Sequence, residues 1–153
     1  MSTQTADFIS LYHRYEKLDN GLKAQLRRVA EPEDLRDTPA LYRLFPSKRA
    51  HAGWLRVAFL LPWCQDCGDK RRSQTPSFGK RLAEAKVNQM RLFQVARAGS
   101  PYDVVQFRRL AIQLQYPTVD WAELGWLLLP SESDRNTWQR AAKRDLIESY
   151  FLA

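Results

Sequence analysis

Apolar residues recur along most of this chain at three- and four-residue steps, the spacing of one face of an α-helix. The first apolar stripe runs from Phe8 to Leu18, and Asp19-Asn20-Gly21 is expected to end that helix. A second stripe, from Leu22 to Val29, closes at Pro32. Leucine outnumbers valine plus isoleucine about two to one, which disfavours strands. The pattern predicts an all-α protein of about eight or nine helices.

Turn and capping residues divide the rest of the chain. Pro39 suits the first position of a helix after Thr38. A buried helix is predicted over residues 49–63. Further helix starts are expected at Ser77, Asn88, Ser100-Pro101 (with Asp103 in an acidic first turn) and Asp120. A last helix is predicted after residues 131–134, with Trp138, Leu146 and Tyr150 among its apolar residues.

A polar, charged stretch separates two groups of predicted helices within the 153 residues. Residues 64–76 are predicted to form a linker between an N-terminal lobe, 1–63, and a C-terminal lobe, 77–153. Each lobe needs helix-on-helix packing to cover its apolar stripes. The architecture expected is therefore two packed helical bundles.

The charge balance points to a polyanionic partner. The chain carries 24 Lys and Arg against 17 Asp and Glu, a formal charge of +7, and its pI is about 9.7. Both signs are spread along the chain, so folding must assemble any cationic surface. No apolar run approaches the roughly 20 residues that span a bilayer, and residues 1–7 lack a signal-like pattern. We expect a cytoplasmic protein that does not bind membranes.

The arginines lie on predicted helices, where a rigid cationic surface can form. On a helical wheel with Leu22 at zero, Arg27 falls at about 140° and Arg28 at about 240°, opposite the apolar stripe. A solvated helix face is the plain alternative. Arg97 shares a face with Phe93, so its stem is expected to pack and its head to emerge at an edge; an interhelical salt bridge is the alternative for Arg97.

The sequence offers little support for a catalytic activity. Its aspartates stand at predicted helix ends, where capping accounts for them, and it has no Gly-rich phosphate loop or nucleophile elbow. No cofactor is expected. Cys64 and Cys67 are spaced like half of a zinc site, but a second pair of ligands is missing. Incidental cysteines, a metal site shared between subunits and a redox pair stay open, and no metal ligand is predicted.

Several separated motifs resemble the CasB family, the small subunit of the type I-E CRISPR Cascade complex. The matching stretches lie within residues 18–44, 49–59, 91–98, 105–110 and 120–121, and their order is preserved. They include Leu26-Arg27-Arg28-Val29, Arg91-Leu92-Phe93-Gln94 and Gln106-Phe107-Arg108-Arg109. The resemblance is weak over residues 62–76 and beyond residue 130.

That resemblance implies a non-catalytic, all-helical subunit that contacts the guide RNA–target DNA hybrid and the displaced strand and helps to hold the R-loop open. It also implies other Cascade subunits as partners and two copies of this chain in the complex. By matching position, the nucleic-acid contacts are expected at Arg28, Arg49, Arg91, Arg97 and Arg109. Arg27, Arg56 and Arg108 match too, and their alternative role is to hold helices together.

Two other classes compete with this interpretation. In a protein-interaction module, the basic face would dock on acidic protein surfaces. A helical transcription regulator is less suited, because the arginines are spread over several helices instead of one recognition helix. Tyr42, Phe45 and Trp54 offer rings for base stacking, although their helical spacing favours core packing.

Overall fold

The computed structural model describes the backbone of residues 2–46, 49–129 and 135–152, and the side chains of residues 7–46, 49–129 and 143–152. In these residues the fold has nine α-helices: α1 (Ser2–Glu16), α2 (Asn20–Arg28), α3 (Pro39–Leu44), α4 (Ala52–Leu60), α5 (Phe78–Glu84), α6 (Gln89–Arg97), α7 (Tyr102–Gln113), α8 (Trp121–Leu128) and α9 (Arg135–Phe151). Three short 3-10 helices span Pro32–Asp37, Leu61–Trp63 and Asp69–Arg71. The all-α prediction is confirmed.

Most predicted helix starts are confirmed by their caps. The Ser77 hydroxyl accepts from the Lys80 amide at 3.3 Å, and Asn88 and Asp120 cap α6 and α8 in the same way. Pro39 is the first residue of α3. These side chains satisfy amides that a helix leaves without an internal partner. The predicted residues 131–134 and the Trp138 side chain lie outside the described residues.

Three local predictions are wrong. Asp19 does not end α1, which stops at Glu16; it caps α2 by accepting from the Leu22 amide at 2.8 Å. The predicted helix over residues 49–63 is shorter, because α4 begins at Ala52 and Leu61–Trp63 tightens into a 3-10 turn. Finally, α7 begins at Tyr102, one residue after Pro101, and Ser100 does not cap it.

Residues 64–72 are more ordered than a linker. Strand β1 (Gln65–Asp66) pairs in parallel with β2 (Thr118–Val119), so the sequence missed one short sheet. Next to this sheet in the sequence, the fully buried Trp121 donates its indole N–H to the Cys64 carbonyl at 3.0 Å. The sheet and this bond attach the segment to the start of α8. The division into two lobes stays a prediction.

Two glycines allow close helix packing. A Cβ at Gly125 of α8 would meet the ring of Phe8 on α1, and a Cβ at Gly79 of α5 would meet the Leu146 carbonyl of α9. Buried side chains from α1 to α9 join in one hydrophobic cluster around Phe8, Phe59 and Trp121. Among the described helices, none is long and apolar enough to cross a membrane.

Candidate nucleic-acid interface

The end of α2 presents two arginines to solvent. Leu26 and Val29 are buried, so the helical repeat turns Arg27 and Arg28 outward, as the wheel predicted. Arg28 makes no hydrogen bond or ion pair with the described residues. On the same helix, the Lys23 ammonium lies 5.3 Å from the centre of the Tyr15 ring. The C-terminal turn of α2 is therefore a cationic edge.

Arg108 joins this edge to α7. Its guanidinium donates to the Val29 carbonyl at 2.7 Å and lies 4.6 Å from the centre of the Phe59 ring. Burial lowers the pKa of Arg108, and the neighbouring Arg109 lowers it further. Arg108 thus holds α2 against α7 and is largely engaged within the protein. The next residue, Arg109, is exposed without a partner among the described residues.

Helix α6 extends the same surface. The Arg91 guanidinium at the start of α6 donates to the side-chain oxygen of Gln113 at the end of α7, at 3.0 Å. Gln113 and Arg109 are one helical turn apart on one face of α7. The Val29–Arg108 contact joins the end of α2 to α7, and the Arg91–Gln113 contact joins the start of α6 to the end of α7. Arg28, Arg91 and Arg109 are exposed residues at or next to these two contacts. We call Arg28, Arg91 and Arg109 the cationic surface.

Arg97 and Arg49 have no such link to it. Arg97 follows Arg91 by six residues and projects from a different side of α6, where its guanidinium is 6.0 Å from the Phe93 ring centre. Arg97 is exposed and forms no ion pair with the described residues, so the alternative of an interhelical salt bridge is not seen there. Arg49 is exposed ahead of α4, beside Tyr42 and Phe45 at a shallow concavity.

Arg56 is an interior residue. Only 5% exposed, it donates to both carboxylate oxygens of Asp103 at 2.7 and 2.9 Å, to the Ser100 hydroxyl and to the Leu128 carbonyl. Burial raises the pKa of Asp103, but Arg56 and Lys143 outweigh it and hold this pKa below its usual range. Of the two roles left open for Arg56, the structure supports holding helices together. Asp103 lies in the first turn of α7, as predicted, and is the buried partner of Arg56.

The cysteines lie beside a second ion-pair cluster. The Arg72 guanidinium donates to both oxygens of Asp66 at 2.8 Å and to Asp120 at 2.7 Å. Asp66, Cys67 and Asp120 have donor atoms within 4.8 Å of one another, but the cation among them is Arg72. Cys64 is buried, and burial raises the pKa of its thiol. The two cysteines are free thiols in this structure.

Sequence reasoning missed one exposed aromatic residue. Tyr116 follows α7, is 46% exposed, and stacks on Trp63 with ring centres 5.7 Å apart and an interplanar angle of 14°. Tyr42 is exposed as well, contrary to the expected core packing, whereas Phe45 and Trp54 pack on each other. A tyrosine directly after a helix and before Pro117 was the available signal for Tyr116.

Fold and composition together define a small, basic, mostly helical protein with several exposed arginines. No protein-family model matches the chain. The chain is 35% identical over 157 residues to the CRISPR system Cascade subunit CasB of Escherichia coli strain K12, covering 95% of this chain and 93% of that protein. A chain in the crystal structure of E. coli Cascade bound to a PAM-containing dsDNA target superposes with a TM-score of 0.74 at 32% identity, over 94% of this chain and 95% of that one.

The chain therefore belongs to the CasB family of Cascade subunits. The resemblance seen in the sequence is confirmed, and the two matches cover 95% and 94% of the chain.

Proposed function

We propose that this chain is a non-catalytic Cascade subunit that holds target DNA in the open R-loop through its cationic surface. The proposal is supported by the exposure of Arg28, Arg91 and Arg109 on three helices, of which α2 and α6 are joined to α7 by the Val29–Arg108 and Arg91–Gln113 contacts. The similar E. coli structure is a Cascade bound to a dsDNA target. Guide RNA, target DNA and the other Cascade subunits are thus the proposed partners.

Energetics explain how such a surface acts. Replacing a DNA duplex with an RNA–DNA hybrid is nearly balanced in free energy, so contacts to backbone decide whether the open state persists. Guanidinium stays charged and binds phosphate oxygens through a planar fork. Base pairing with the guide supplies sequence recognition, and the subunit needs only to bind sugar-phosphate.

Arg27 extends the surface on α2, and Arg49 and Arg97 are further proposed contacts elsewhere on the molecule. Arg56 and Arg108 are proposed to act by holding helices in place, because their guanidinium groups are engaged inside the fold. Variants of exposed arginines and variants of engaged arginines should therefore have different defects. Changing an exposed arginine should alter DNA binding alone, and changing an engaged one should alter stability first.

The test uses the assembled, guide-loaded complex with Arg28→Ala, Arg91→Ala and Arg109→Ala subunits. Each lost contact to single-stranded backbone should lower the slope of log affinity against log salt by about 0.7. Arg43→Ala, which removes an exposed arginine of α3, is the matched control. Unchanged affinity and slope in all three variants would refute the proposal.

A separate experiment tests the proposed lack of catalysis. Incubating the subunit with labelled DNA and Mg²⁺ should give no cleavage.

A protein-interaction module is the competing function. In that case the same arginine variants would reduce incorporation of the subunit into the complex and leave the salt slope of DNA binding unchanged in the complexes that do assemble. Native mass spectrometry of each assembled complex measures incorporation. It also counts copies of this chain, which we propose to be two.

A further inference from the structure

The segment after α7 holds an aromatic side chain outward in a constrained conformation. Gln115 and Tyr116 both adopt positive φ, 60° and 57°. Residues other than glycine rarely adopt this left-handed region, and strain of this kind concentrates at functional positions. The backbone then enters β2 after Pro117. One face of the Tyr116 ring is fixed against Trp63.

Basic side chains lie near the Tyr116–Trp63 stack. Arg108 lies 6.0 Å from the Trp63 ring centre. Tyr15 links the ring to α2: burial raises the pKa of Tyr15, the nearby Arg27 guanidinium opposes this, and the Tyr116 phenol raises it again. Arg27 and Tyr116 thus both lie near one phenol. Lys23 lies over the Tyr15 ring, so Tyr15 connects the Tyr116–Trp63 stack to two basic side chains of α2.

Aromatic rings beside basic side chains are the usual way in which proteins bind single-stranded nucleic acid. The rings stack on bases of any sequence while the cations hold the phosphates. Most bases of a guide–target hybrid are paired and stacked on their neighbours, so few of them offer a free face. The displaced DNA strand has unpaired bases and is the ligand this chemistry favours.

We propose that the Tyr116–Trp63 stack is a platform for one unpaired base of the displaced DNA strand. This deepens the proposed function and rests on it: the cationic surface holds phosphates, and Tyr116 adds a contact to the base itself. The tyrosine hydroxyl is not needed for that contact, since stacking uses only the ring.

The test combines protein and DNA changes in the assembled complex. Target duplexes carry either normal nucleotides or consecutive abasic sites in the displaced strand. On normal DNA, Tyr116→Ala should weaken R-loop binding by about five- to 150-fold, the loss expected for one stacked base. On abasic DNA, Tyr116→Ala should bind like the wild type. Tyr116→Phe should bind normally on both.

Tyr102→Ala is the matched control, because Tyr102 is an exposed tyrosine at the opposite end of α7. Tyr116→Leu separates stacking from folding, since leucine still covers Trp63 but lacks a π-face. It should reproduce the alanine defect with a normal Tm. Equal losses on normal and abasic DNA, or no loss on either, would overturn the platform.

A wild-type measurement avoids variants altogether. Displaced strands carrying 5-iodouracil should photocrosslink to Tyr116, and crosslinks that map only elsewhere in the complex count against the proposal. The proposed base platform and the proposed cationic surface can be refuted independently of each other. Arginine variants change the salt slope on both kinds of DNA, whereas Tyr116→Ala leaves the slope unchanged and depends on the presence of bases.

Discussion

Arg56 of α4 and Asp103 of α7 form a two-pronged ion pair in the interior, with both N–O distances under 3 Å. The two residues are 47 positions apart, and Lys143 of α9 approaches the same carboxylate at 3.2 Å. This pair joins helices from the first half of the chain to helices from the second. Because its guanidinium is engaged in this pair, Arg56 is not among the exposed arginines.

Arg56→Ala should destabilise the fold by about 3–5 kcal/mol, because it leaves a buried carboxylate without its main partner. Thermal unfolding of the isolated subunit measures this. Arg109→Ala, an exposed arginine on the neighbouring helix, should change stability by no more than about 0.5 kcal/mol. If Arg56→Ala instead keeps a wild-type Tm and loses DNA binding, Arg56 belongs to the interface.

Local features of the fold could be predicted from the sequence, whereas contacts between distant residues could not. Caps are local: Ser77, Asn88 and Asp120 each bond an amide two or three residues away, so sequence sufficed to find them. The Arg56–Asp103 pair and the β1–β2 sheet join residues about 50 apart, and no local pattern encodes such pairings. Periodicity predicted that Arg28 points away from the core of α2, but the contact that joins the end of α2 to Arg108 of α7 spans 79 positions and has no local signal.

A second ion-pair cluster sets the acid sensitivity of residues 65–72. Burial raises the pKa of Asp66, but hydrogen bonds from Arg72 outweigh it and the net pKa is lowered. A lowered carboxyl pKa stabilises the fold above the ordinary value of 3.8, and this stabilisation is lost as pH falls through the folded-state pKa. The Tm difference between wild type and Asp66→Asn should therefore shrink as pH falls below about 4.

Arg72→Ala should cost about 1.5–3 kcal/mol, the range for hydrogen bonds to charged groups. Arg72→Lys should recover only part of this, since an ammonium cannot bond both oxygens of Asp66 in the same plane. Unfolding curves of the three proteins at neutral pH give the comparison. Equal stabilities of the lysine variant and the wild type would show that charge alone matters here.

The pKa of Glu123 is shifted in the opposite direction to that of Asp66. It lines an apolar cavity of about 320 Å³ between α5, α8 and α9. Burial raises the pKa of Glu123, and the carboxylates of Asp120 and Asp145 raise it further; Lys80 and Glu148 line the adjoining opening. A raised carboxyl pKa favours the folded state at low pH, and that advantage is lost as pH rises through the folded-state pKa.

Glu123→Gln should therefore stabilise the protein at neutral pH by up to about 1 kcal/mol, comparable to one surface charge interaction. The gain should disappear below the ordinary glutamate pKa, where wild-type Glu123 is itself protonated. Glu84→Gln removes the same charge from an exposed position at the end of α5, outside the lining of this cavity, and serves as the control. A gain that is independent of pH would show that packing, not ionisation, causes it.

The two thiols should differ sharply in reactivity. Cys64 is buried and burial raises the pKa of its thiol, whereas Cys67 is partly exposed. Since the thiolate is the reactive form, a thiol reagent should modify one cysteine in the folded protein and both in denaturant. Modification should vanish in Cys67→Ser, and Cys64→Ser should leave the native reaction intact.

Metal binding by the same cluster has a separate test. Because Arg72 already bonds Asp66 and Asp120, Zn²⁺ would have to displace a guanidinium to reach these carboxylates and Cys67. Adding Zn²⁺ should therefore leave the wild-type Tm unchanged. Arg72→Ala frees the three ligands, and its Tm should rise with Zn²⁺, as expected for an ion that binds only the folded state. A Zn²⁺-dependent Tm rise in the wild type would show that the cysteine pair belongs to a metal site.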